Sequence, residues 1–279
     1  YNGHTYGAAS VGDACDESIA PCVPGFIKIP MPNSFRGISP ESVIKKFEQL
    51  AKSNKNIAAF LSEPVWTNAG VFVPSKEFYP TIEKICRRYK ILFIMDEVAT
   101  GFGRCGKLFA SELWNLKPDI LCLGKGLTGG YATMGATLIT EKIFKSSFSI
   151  PSYSTFGWLP IDLAASRENV KVIIREKLWE NSEKLGKYML EELKSLEEKT
   201  FVGEVRGIGL VLGIEIVKDK KSKQSDFKKA QQLQDRFAEE GLIIETAGNT
   251  LFLTPPLIIT KKIADQGIKI LKSVIEKSS

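Results

Sequence analysis

Two short apolar segments, each ending at a charged or glycine residue, constrain the fold of this chain most. Residues 91–95 read Ile-Leu-Phe-Ile-Met and end at Asp96, and residues 120–123 read Ile-Leu-Cys-Leu and are followed by Gly-Lys125-Gly. Such segments are typical of strands buried on both faces of a parallel sheet. Ligands of open α/β sheets bind beyond the carboxyl ends of the strands. We therefore predict that Asp96 and Lys125 face one cleft.

A lysine and a carboxylate at one sheet edge indicate Schiff-base chemistry. A partly desolvated lysine can lose its proton and react with an aldehyde. A nearby carboxylate can keep a pyridine nitrogen protonated, and this pairing is used with pyridoxal phosphate (PLP). The two residues alone leave an alternative open, in which Asp96 caps a turn and Lys125 is a solvated loop residue.

The composition argues against several other kinds of site. A single histidine, His4, excludes histidine-rich metal sites and leaves little room for a Ser-His-Asp triad. The net charge of +6 comes from lysines scattered over helix-like segments, without a basic run interleaved with aromatic residues. We therefore expect no nucleic-acid partner. No apolar segment is long enough to cross a bilayer, so we expect no membrane partner either.

The cysteines predict a reducing environment. Their number is odd and none forms a Cys-x-x-Cys pair; they are Cys15, Cys22, Cys86, Cys105 and Cys122. Reduced thiols in a cytoplasmic protein fit this pattern best.

The residues around the two apolar segments resemble the class III aminotransferases, which are PLP enzymes of fold type I. The resemblance rests on residues 96–110, Asp-Glu-Val-Ala-Thr-Gly-Phe-Gly-Arg-Cys-Gly-Lys-Leu-Phe-Ala, and on residues 118–131, Pro-Asp-Ile-Leu-Cys-Leu-Gly-Lys-Gly-Leu-Thr-Gly-Gly-Tyr. Within the family, these two segments are most similar to those of the diaminopelargonic acid aminotransferases of biotin synthesis. The aspartate at 96, the glycine turn over residues 101–106 and the lysine at 125 all fall at the family's spacing.

The resemblance implies a role for each of five residues. Asp96 would contact the pyridine nitrogen, Val98 would pack on the ring, and Lys125 would hold PLP as an internal aldimine. Tyr1 would stack on the ring. Thr155, in a threonine-aromatic-glycine turn, would bind the PLP phosphate of a neighbouring subunit, which implies a homodimer with shared sites.

Two acidic residues are further candidates by resemblance. Glu63 precedes a proline at a predicted strand end and would lie close to the ring, unless it only satisfies a turn amide. Glu245 stands where diaminopelargonate enzymes carry an arginine for a substrate carboxylate, and Phe252 stands where other members carry one. An acid would repel a carboxylate and favour an amine. The alternative is that Glu245 pairs with a surface lysine.

We predict an α/β protein of PLP fold type I, with a mostly parallel sheet in its large domain. Residues 1–158 would be part of that domain, residues 159–199 bridging helices, and residues 200–279 a small α+β domain. Helices are predicted over 40–53, 75–88, two segments of 160–199, 226–240 and 261–277, and strands over 26–29, 57–61, 134–140, 202–217, 242–245 and 250–253. Since the chain starts at Tyr1 without a methionine and family members are longer, the phosphate-binding Gly/Ser turn is expected upstream.

The predicted function is transfer of an amino group from an amine or amino-acid donor to an oxo acceptor, with PLP bound to Lys125. Three alternatives stay open. They are the diaminopelargonic acid reaction specifically, a PLP racemase or aminomutase on the same scaffold, and a non-catalytic remnant without the phosphate turn.

Overall fold

The computed structural model describes residues 1–12, 21–147, 149 and 153–278. Most of the helices that it contains follow the predicted amphipathic segments. In chain order they are α1 Tyr6–Val11, α2 Pro40–Ser53, α3 Phe78–Tyr89, α4 Glu141–Ser147, α5 Pro160–Arg175, α6 Leu178–Leu193, α7 Phe227–Glu239 and α8 Lys261–Glu276. Short 3-10 helices span Ser34–Arg36, Ala110–Trp114, Lys125–Leu127 and Lys194–Glu198.

The first sheet contains the two apolar segments that constrained the fold. Its strands lie in the order in which they occur along the chain: β1 Ala59–Ser62, β2 Leu92–Asp96, β3 Ile120–Leu123 and β4 Ala136–Ile139. The pairs β1–β2 and β2–β3 are parallel, and β3–β4 is antiparallel. The sheet is therefore mostly parallel, as predicted, and the carboxyl ends of β1, β2 and β3 share one edge.

Helices α2 and α3 cover the start of this sheet. Ser39 caps α2 by accepting a hydrogen bond from the Ser42 amide at 3.2 Å, and Pro40 fits the first helical turn. Phe47 of α2 packs on Phe60 of β1, which stacks on Phe93 of β2. Full burial of such a side chain contributes about 1.5–3 kcal/mol to folding.

Burial decreases along the sheet from β2 to β4. Phe93 and Met95 of β2 are fully buried, whereas the residues of β3 are mostly half-buried and Leu138 and Ile139 of β4 are exposed. The prediction that both segments are buried on both faces is therefore wrong, because Leu92 of β2 is 36% exposed and three of the four residues of β3 are half-buried. The core under α2 and α3 buries one face of β2, and from β3 it is joined by the partly buried Leu121.

The second sheet is antiparallel and lies in the C-terminal part of the chain. Its order is β5 Val202–Ile208, β6 Val211–Ile216, β8 Thr250–Leu253 and β7 Glu245–Ala247. Helices α6, α7 and α8 cover one face and form the largest apolar core of the described residues. The other face packs against residues 65–73 and 105–110 of the preceding part of the chain.

A tight turn replaces the single bent strand predicted over residues 202–217. Gly209 has a φ of +55°, which a side chain would strain, and it joins β5 to β6 as a hairpin. A Cβ atom on Gly186 of α6 would lie 1.9 Å from the Gly209 carbonyl oxygen. Helix and turn can therefore make this contact only because position 186 is glycine.

Arg206 fastens the second sheet to the loop that follows β1. Its Nε donates to the Gly70 carbonyl at 2.8 Å, and its guanidinium carbon lies 3.8 Å from the centre of the Phe72 ring. Its Nη1 also forms an ion pair with the buried Glu215 at 2.5 Å. These contacts hold residues 66–72 against the C-terminal sheet.

Three further predictions about the fold need correction or lie outside the described residues. Residues 26–29 form no strand, and part of the glycine-rich start is helical, as α1. Cys22 is disulfide-bonded rather than reduced, whereas Cys86, Cys105 and Cys122 are free; Cys15 lies outside the described residues.

None of the described helices is long and apolar enough to cross a membrane. The proposed domain limits at 158 and 199 stay a prediction.

Candidate active site

Asp96 is a buried carboxylate at the carboxyl end of β2. Its Oδ1 accepts a hydrogen bond from the Val98 amide at 3.1 Å, and its Oδ2 accepts one from the Asn2 side-chain amide at 2.7 Å. The side chain is 6% exposed, and no described cation forms an ion pair with it. Asp96 does satisfy a turn amide, as the alternative interpretation held. Its negative charge nevertheless has no described counterion.

Lys125 lies at the same edge, beyond the end of β3. Asp96 is opposite Cys122 in the register of β2 and β3, and Lys125 follows Cys122 by three residues. A Cβ atom on Gly124 would lie 3.3 Å from Val98 Cγ1, so the backbone just before Lys125 passes directly beside Val98. The structure thus places Asp96, Val98 and the backbone before Lys125 at one sheet edge. Lys125 is exposed.

Glu63 lies at the same edge, after β1. Its Oε1 accepts a hydrogen bond from the Tyr1 amino group at 2.9 Å. Its Oε2 accepts hydrogen bonds from the Thr67 amide at 3.2 Å and the Thr67 hydroxyl at 2.9 Å. Glu63 therefore does satisfy a turn amide. Tyr1 is 45% exposed, and its ring packs edge-on against His4, with the ring centres 4.9 Å apart.

The glycine turn after Asp96 is closed by Glu97, to which the sequence assigned no role. Its fully buried carboxylate accepts hydrogen bonds from the amides of Ala110 and Ser111 at 2.6 and 2.7 Å, and from the Thr100 and Ser111 hydroxyls. Burial raises the pKa of Glu97. These bonds close the loop from 97 to 111 directly beside Asp96.

Arg104, in the middle of this turn, binds backbone rather than an acid. Its Nη1 donates to the carbonyls of Leu210 at 2.9 Å and Pro255 at 2.6 Å. Burial of the guanidinium lowers the pKa of Arg104. Arg104 thus links the glycine turn to the C-terminal sheet and to the loop after β8.

Thr155 and Glu245 are exposed, and no described hydrogen bond or ion pair joins either of them to Asp96 or Lys125. Thr155 lies in a turn over 155–158. Glu245 is opposite Phe252 in the pairing of β7 and β8, so both side chains are on one face of the sheet. Because Phe252 packs with the cluster around Val71, that face is turned towards the loops of the site.

Two asparagines that contact the site were not among the sequence candidates. Asn2 bonds to Asp96, as described above, and Asn169 of α5 donates to the carbonyls of Gly126 and Leu127. No signal distinguishes Asn169, because its partners are more than 40 residues away in the sequence.

Curated relatives of this chain include aminotransferases and a racemase. Ornithine aminotransferase of Plasmodium falciparum is 35% identical over 280 residues, covering 99% of this chain and 63% of that protein. Alanine/serine racemase of Pyrococcus horikoshii is 33% identical over 299 residues, covering 99% and 62%. Adenosylmethionine-8-amino-7-oxononanoate aminotransferase of Staphylococcus aureus is 33% identical over 295 residues, covering 99% and 65%. The chain thus spans about 63% of the length of the first curated relatives it matches.

Similar solved structures include transaminases. An amine transaminase from an uncultivated Pseudomonas species, in its PLP-bound internal aldimine form, superposes with a TM-score of 0.94 at 31% identity. The match covers 100% of this chain and 68% of that one. The predicted α/β fold is thereby confirmed. The family aminotransferase class-III matches residues 1–275. The predicted family is therefore also confirmed, and the chain belongs to the class-III aminotransferases.

Proposed function

We propose that the protein is a PLP-dependent aminotransferase that moves an amino group from an amine or amino-acid donor to an oxo acceptor. One observation carries the proposal: the buried Asp96 carboxylate and the exposed Lys125 amine follow adjacent parallel strands at the same sheet edge. Membership of the class-III aminotransferase family supports the activity. The similar PLP-bound transaminase structure supports the cofactor.

The residues at this edge fit PLP. Asp96 accepts hydrogen bonds only from neutral groups among the described residues, so its charge is available to a protonated ring nitrogen. Val98 offers an apolar side chain between Asp96 and the backbone of Gly124. Lys125 supplies the amine that an aldehyde requires.

In the proposed mechanism, PLP supplies an electron sink that stabilises negative charge on the carbon of the amine substrate. Lys125 would hold the cofactor through its Nζ atom. The Lys125 Nζ atom would also be the group that takes up and returns the proton of the substrate carbon. Asp96 would hold the proton on the ring nitrogen, and Val98 would pack on the ring.

An absorbance titration with PLP tests the proposal, followed by a panel of amine donors. We expect a cofactor band near the edge of the visible range and release of a separate oxo product from the donor. Racemisation without release of an oxo product would favour the second candidate, a PLP racemase, which the Pyrococcus relative supports. Absence of any cofactor band would favour a non-catalytic protein.

For the substrate, we propose that Glu245 favours donors with a second ammonium group. Glu245 lies on the sheet face that is turned towards the loops of the site, and no described lysine or arginine pairs with it. The ornithine aminotransferase relative is named for a donor with a distal amine. The diaminopelargonic acid reaction of biotin synthesis is the alternative, and the Staphylococcus relative supports it.

We predict that Glu245→Arg lowers the ratio of diamine to mono-amine carboxylate activity by about ten-fold or more. A charge interaction of roughly 1–4 kcal/mol in a partly desolvated cleft produces a change of that size. The measurement is a donor panel on the native protein and the variant. Glu239→Arg is a matched control, since it makes the same charge change on α7, which covers the opposite face of the sheet. Equal ratios in the native protein and Glu245→Arg would exclude Glu245 from substrate selection.

We propose further that the active form is a homodimer with shared sites. The turn that contains Thr155 is surrounded by large exposed apolar side chains: Tyr153 is 85% exposed, Phe156 75%, Trp158 72% and Ile161 75%. Contiguous exposed apolar surface is typical of protein–protein interfaces. Burial of this surface by a second subunit would bring Thr155 next to the partner's site.

The shared-site proposal predicts complementation between two inactive variants. Mixed Lys125→Ala and Thr155→Ala subunits should recover part of the activity, because one site of the heterodimer would carry both lesions and the other neither. The measurement is activity after subunit exchange, with each variant alone as control. No recovery in verified heterodimers, or full activity in a monomer by sedimentation, would contradict the proposal.

A cytoplasmic location stays a proposal as well. The free thiols of Cys86, Cys105 and Cys122 favour a reducing compartment, whereas the disulfide at Cys22 favours an oxidising one.

A further inference from the structure

The backbone at Lys125 is in a conformation that needs support from its surroundings. Lys125 starts the 3-10 helix Lys125–Leu127 with a φ of +41°, in the left-handed region that side-chain-bearing residues rarely adopt. Such a conformation persists only where neighbouring groups hold it. Within the turn, the Leu127 amide donates to the Gly124 carbonyl at 2.9 Å and the Thr128 amide to the Lys125 carbonyl at 3.1 Å.

Asn169 of α5 supports this turn from outside. Its Nδ2 donates to the Gly126 carbonyl at 2.7 Å and to the Leu127 carbonyl at 3.1 Å. One side-chain amide thus binds the two carbonyls that follow Lys125. Because both bonds come from one rigid planar group, they fix the orientation of the Gly126–Leu127 and Leu127–Thr128 peptide planes, which directly follow the Lys125–Gly126 peptide.

The chain beyond the turn is also shaped around Asn169. Gly129 has a φ of +62°, and a Cβ atom there would lie 2.5 Å from Asn169 Oδ1. The loop can therefore enclose the carboxamide only because position 129 is glycine. Asn169 contacts the Lys125 turn with its nitrogen and the Gly129 backbone with its oxygen.

The helix that carries Asn169 is itself firmly packed. Ile173, one helical turn further on, is buried in a cluster with Phe102, Leu123 and Leu127. A Cβ atom on Gly126 would lie 3.1 Å from Phe102 Cβ, so Phe102 touches the turn from another side. Asn169 therefore transmits the position of a fixed helix to the backbone at Lys125.

We infer that Asn169 is a positioning residue that aims the Lys125 amine by binding the carbonyls of Gly126 and Leu127. The inference rests on the proposed function, in which Lys125 reacts with PLP. Loss of the two hydrogen bonds should leave substrate binding unchanged, because Asn169 has no role in it. It should instead slow proton transfer by Lys125 and weaken the capture of PLP.

The test uses the full chain with Asn169→Asp and Asn169→Ala. The aspartate keeps the shape but replaces the donor with an oxygen that repels both carbonyls, and the alanine removes the donor without repulsion. Asn181 of α6 offers a matched control, since its Nδ2 donates to the carbonyls of Leu257 at 2.6 Å and Ile259 at 3.0 Å. Asn181→Asp and Asn181→Ala make the same changes at the loop after β8.

Three quantities separate a positioning role from a merely structural one. They are hydrogen exchange of segment 124–131 without PLP, the Kd for PLP from an absorbance titration, and kcat and KM for an amine donor. For both Asn169 variants we expect faster exchange in this segment, a Kd about ten-fold higher, and a kcat about ten-fold lower at unchanged KM. The Asn181 variants should change neither Kd nor kcat by more than about two-fold.

The outcomes distinguish this inference from the proposed function. If the native protein captures PLP and the Asn169 variants match it in Kd and kcat, the inference is wrong although the function stands. If the native protein shows no PLP band, the proposed function fails. In that case, unchanged hydrogen exchange in segment 124–131 of the Asn169 variants would show that Asn169 does not hold the Lys125 turn either. Should Asn169→Asp not fold, Asn169→Ala decides.

Discussion

Lys125→Ala is expected to abolish transamination while leaving the fold intact. The Lys125 side chain is exposed, and its amine has no described hydrogen bond or ion pair, so its removal costs little packing. Alanine meets the same backbone restriction as lysine at a φ of +41°, so the turn should not change. Loss of proton transfer alone lowers a rate by roughly 10²–10⁴-fold. Loss of the covalent link to PLP adds to this, whereas weak cofactor binding through Asp96 should remain.

Borohydride reduction followed by peptide mapping measures this directly. The native protein should carry a pyridoxyl label on Lys125, and Lys125→Ala should carry none. Lys107→Ala is a suitable control, because the one ion pair of Lys107 among the described residues is an exposed one with Glu183 at 3.2 Å, which contributes little to stability. A label on another lysine of the native protein would refute the assignment.

Local patterns predicted those parts of the site that follow from strand geometry. An apolar segment ending at Asp96, and another ending just before Lys125, suffice to place both residues at one edge, because parallel neighbours share their carboxyl ends. The α2 helix could equally be predicted from the sequence, since a serine cap, a proline and helical spacing of apolar residues coincide at its start. These signals are local in sequence and do not depend on the rest of the fold.

Such local patterns could not predict contacts between residues that are distant in the sequence. Asn2 reaches Asp96 across 94 positions, and Asn169 reaches Gly126 across 43. A single polar side chain that bonds to a carboxylate or a carbonyl has no period and no spacing to recognise. The hairpin at Gly209 was missed for a related reason, because its glycine serves a close approach to the backbone of residues 104–106 that only the tertiary structure reveals.

These contacts bear on how each half of the site is held. Asn2 and the Val98 amide each bind one oxygen of Asp96, whereas Asn169 binds the turn of Lys125. Both asparagines are neutral and do not titrate near pH 7. The carboxylate and the amine are thus supported without adding charge, and the charge of Asp96 stays available for a cationic ligand.

Asp96→Asn is expected to keep the fold and to lower turnover on the order of 10²-fold or more, equivalent to about 2.7 kcal/mol of transition-state stabilisation. Asparagine has the size of aspartate, and its one oxygen can still accept a hydrogen bond from Asn2 or from the Val98 amide. The amide carries no charge, however, and cannot stabilise a proton on a ring nitrogen. The loss should therefore appear in kcat as well as in kcat/KM.

Steady-state kinetics beside a thermal melt provide the measurement, and Asp119→Asn provides the control. Asp119 lies just before β3, near the opposite end of the strands, where its carboxylate accepts a hydrogen bond from the Phe93 amide at 2.8 Å and pairs with Arg87. Removing that charge should cost stability but leave the turnover of the folded enzyme nearly normal. Near-normal turnover in Asp96→Asn would contradict the assignment. It would mean that another group contacts the ring nitrogen, and that the Asp96 carboxylate only accepts hydrogen bonds within its turn.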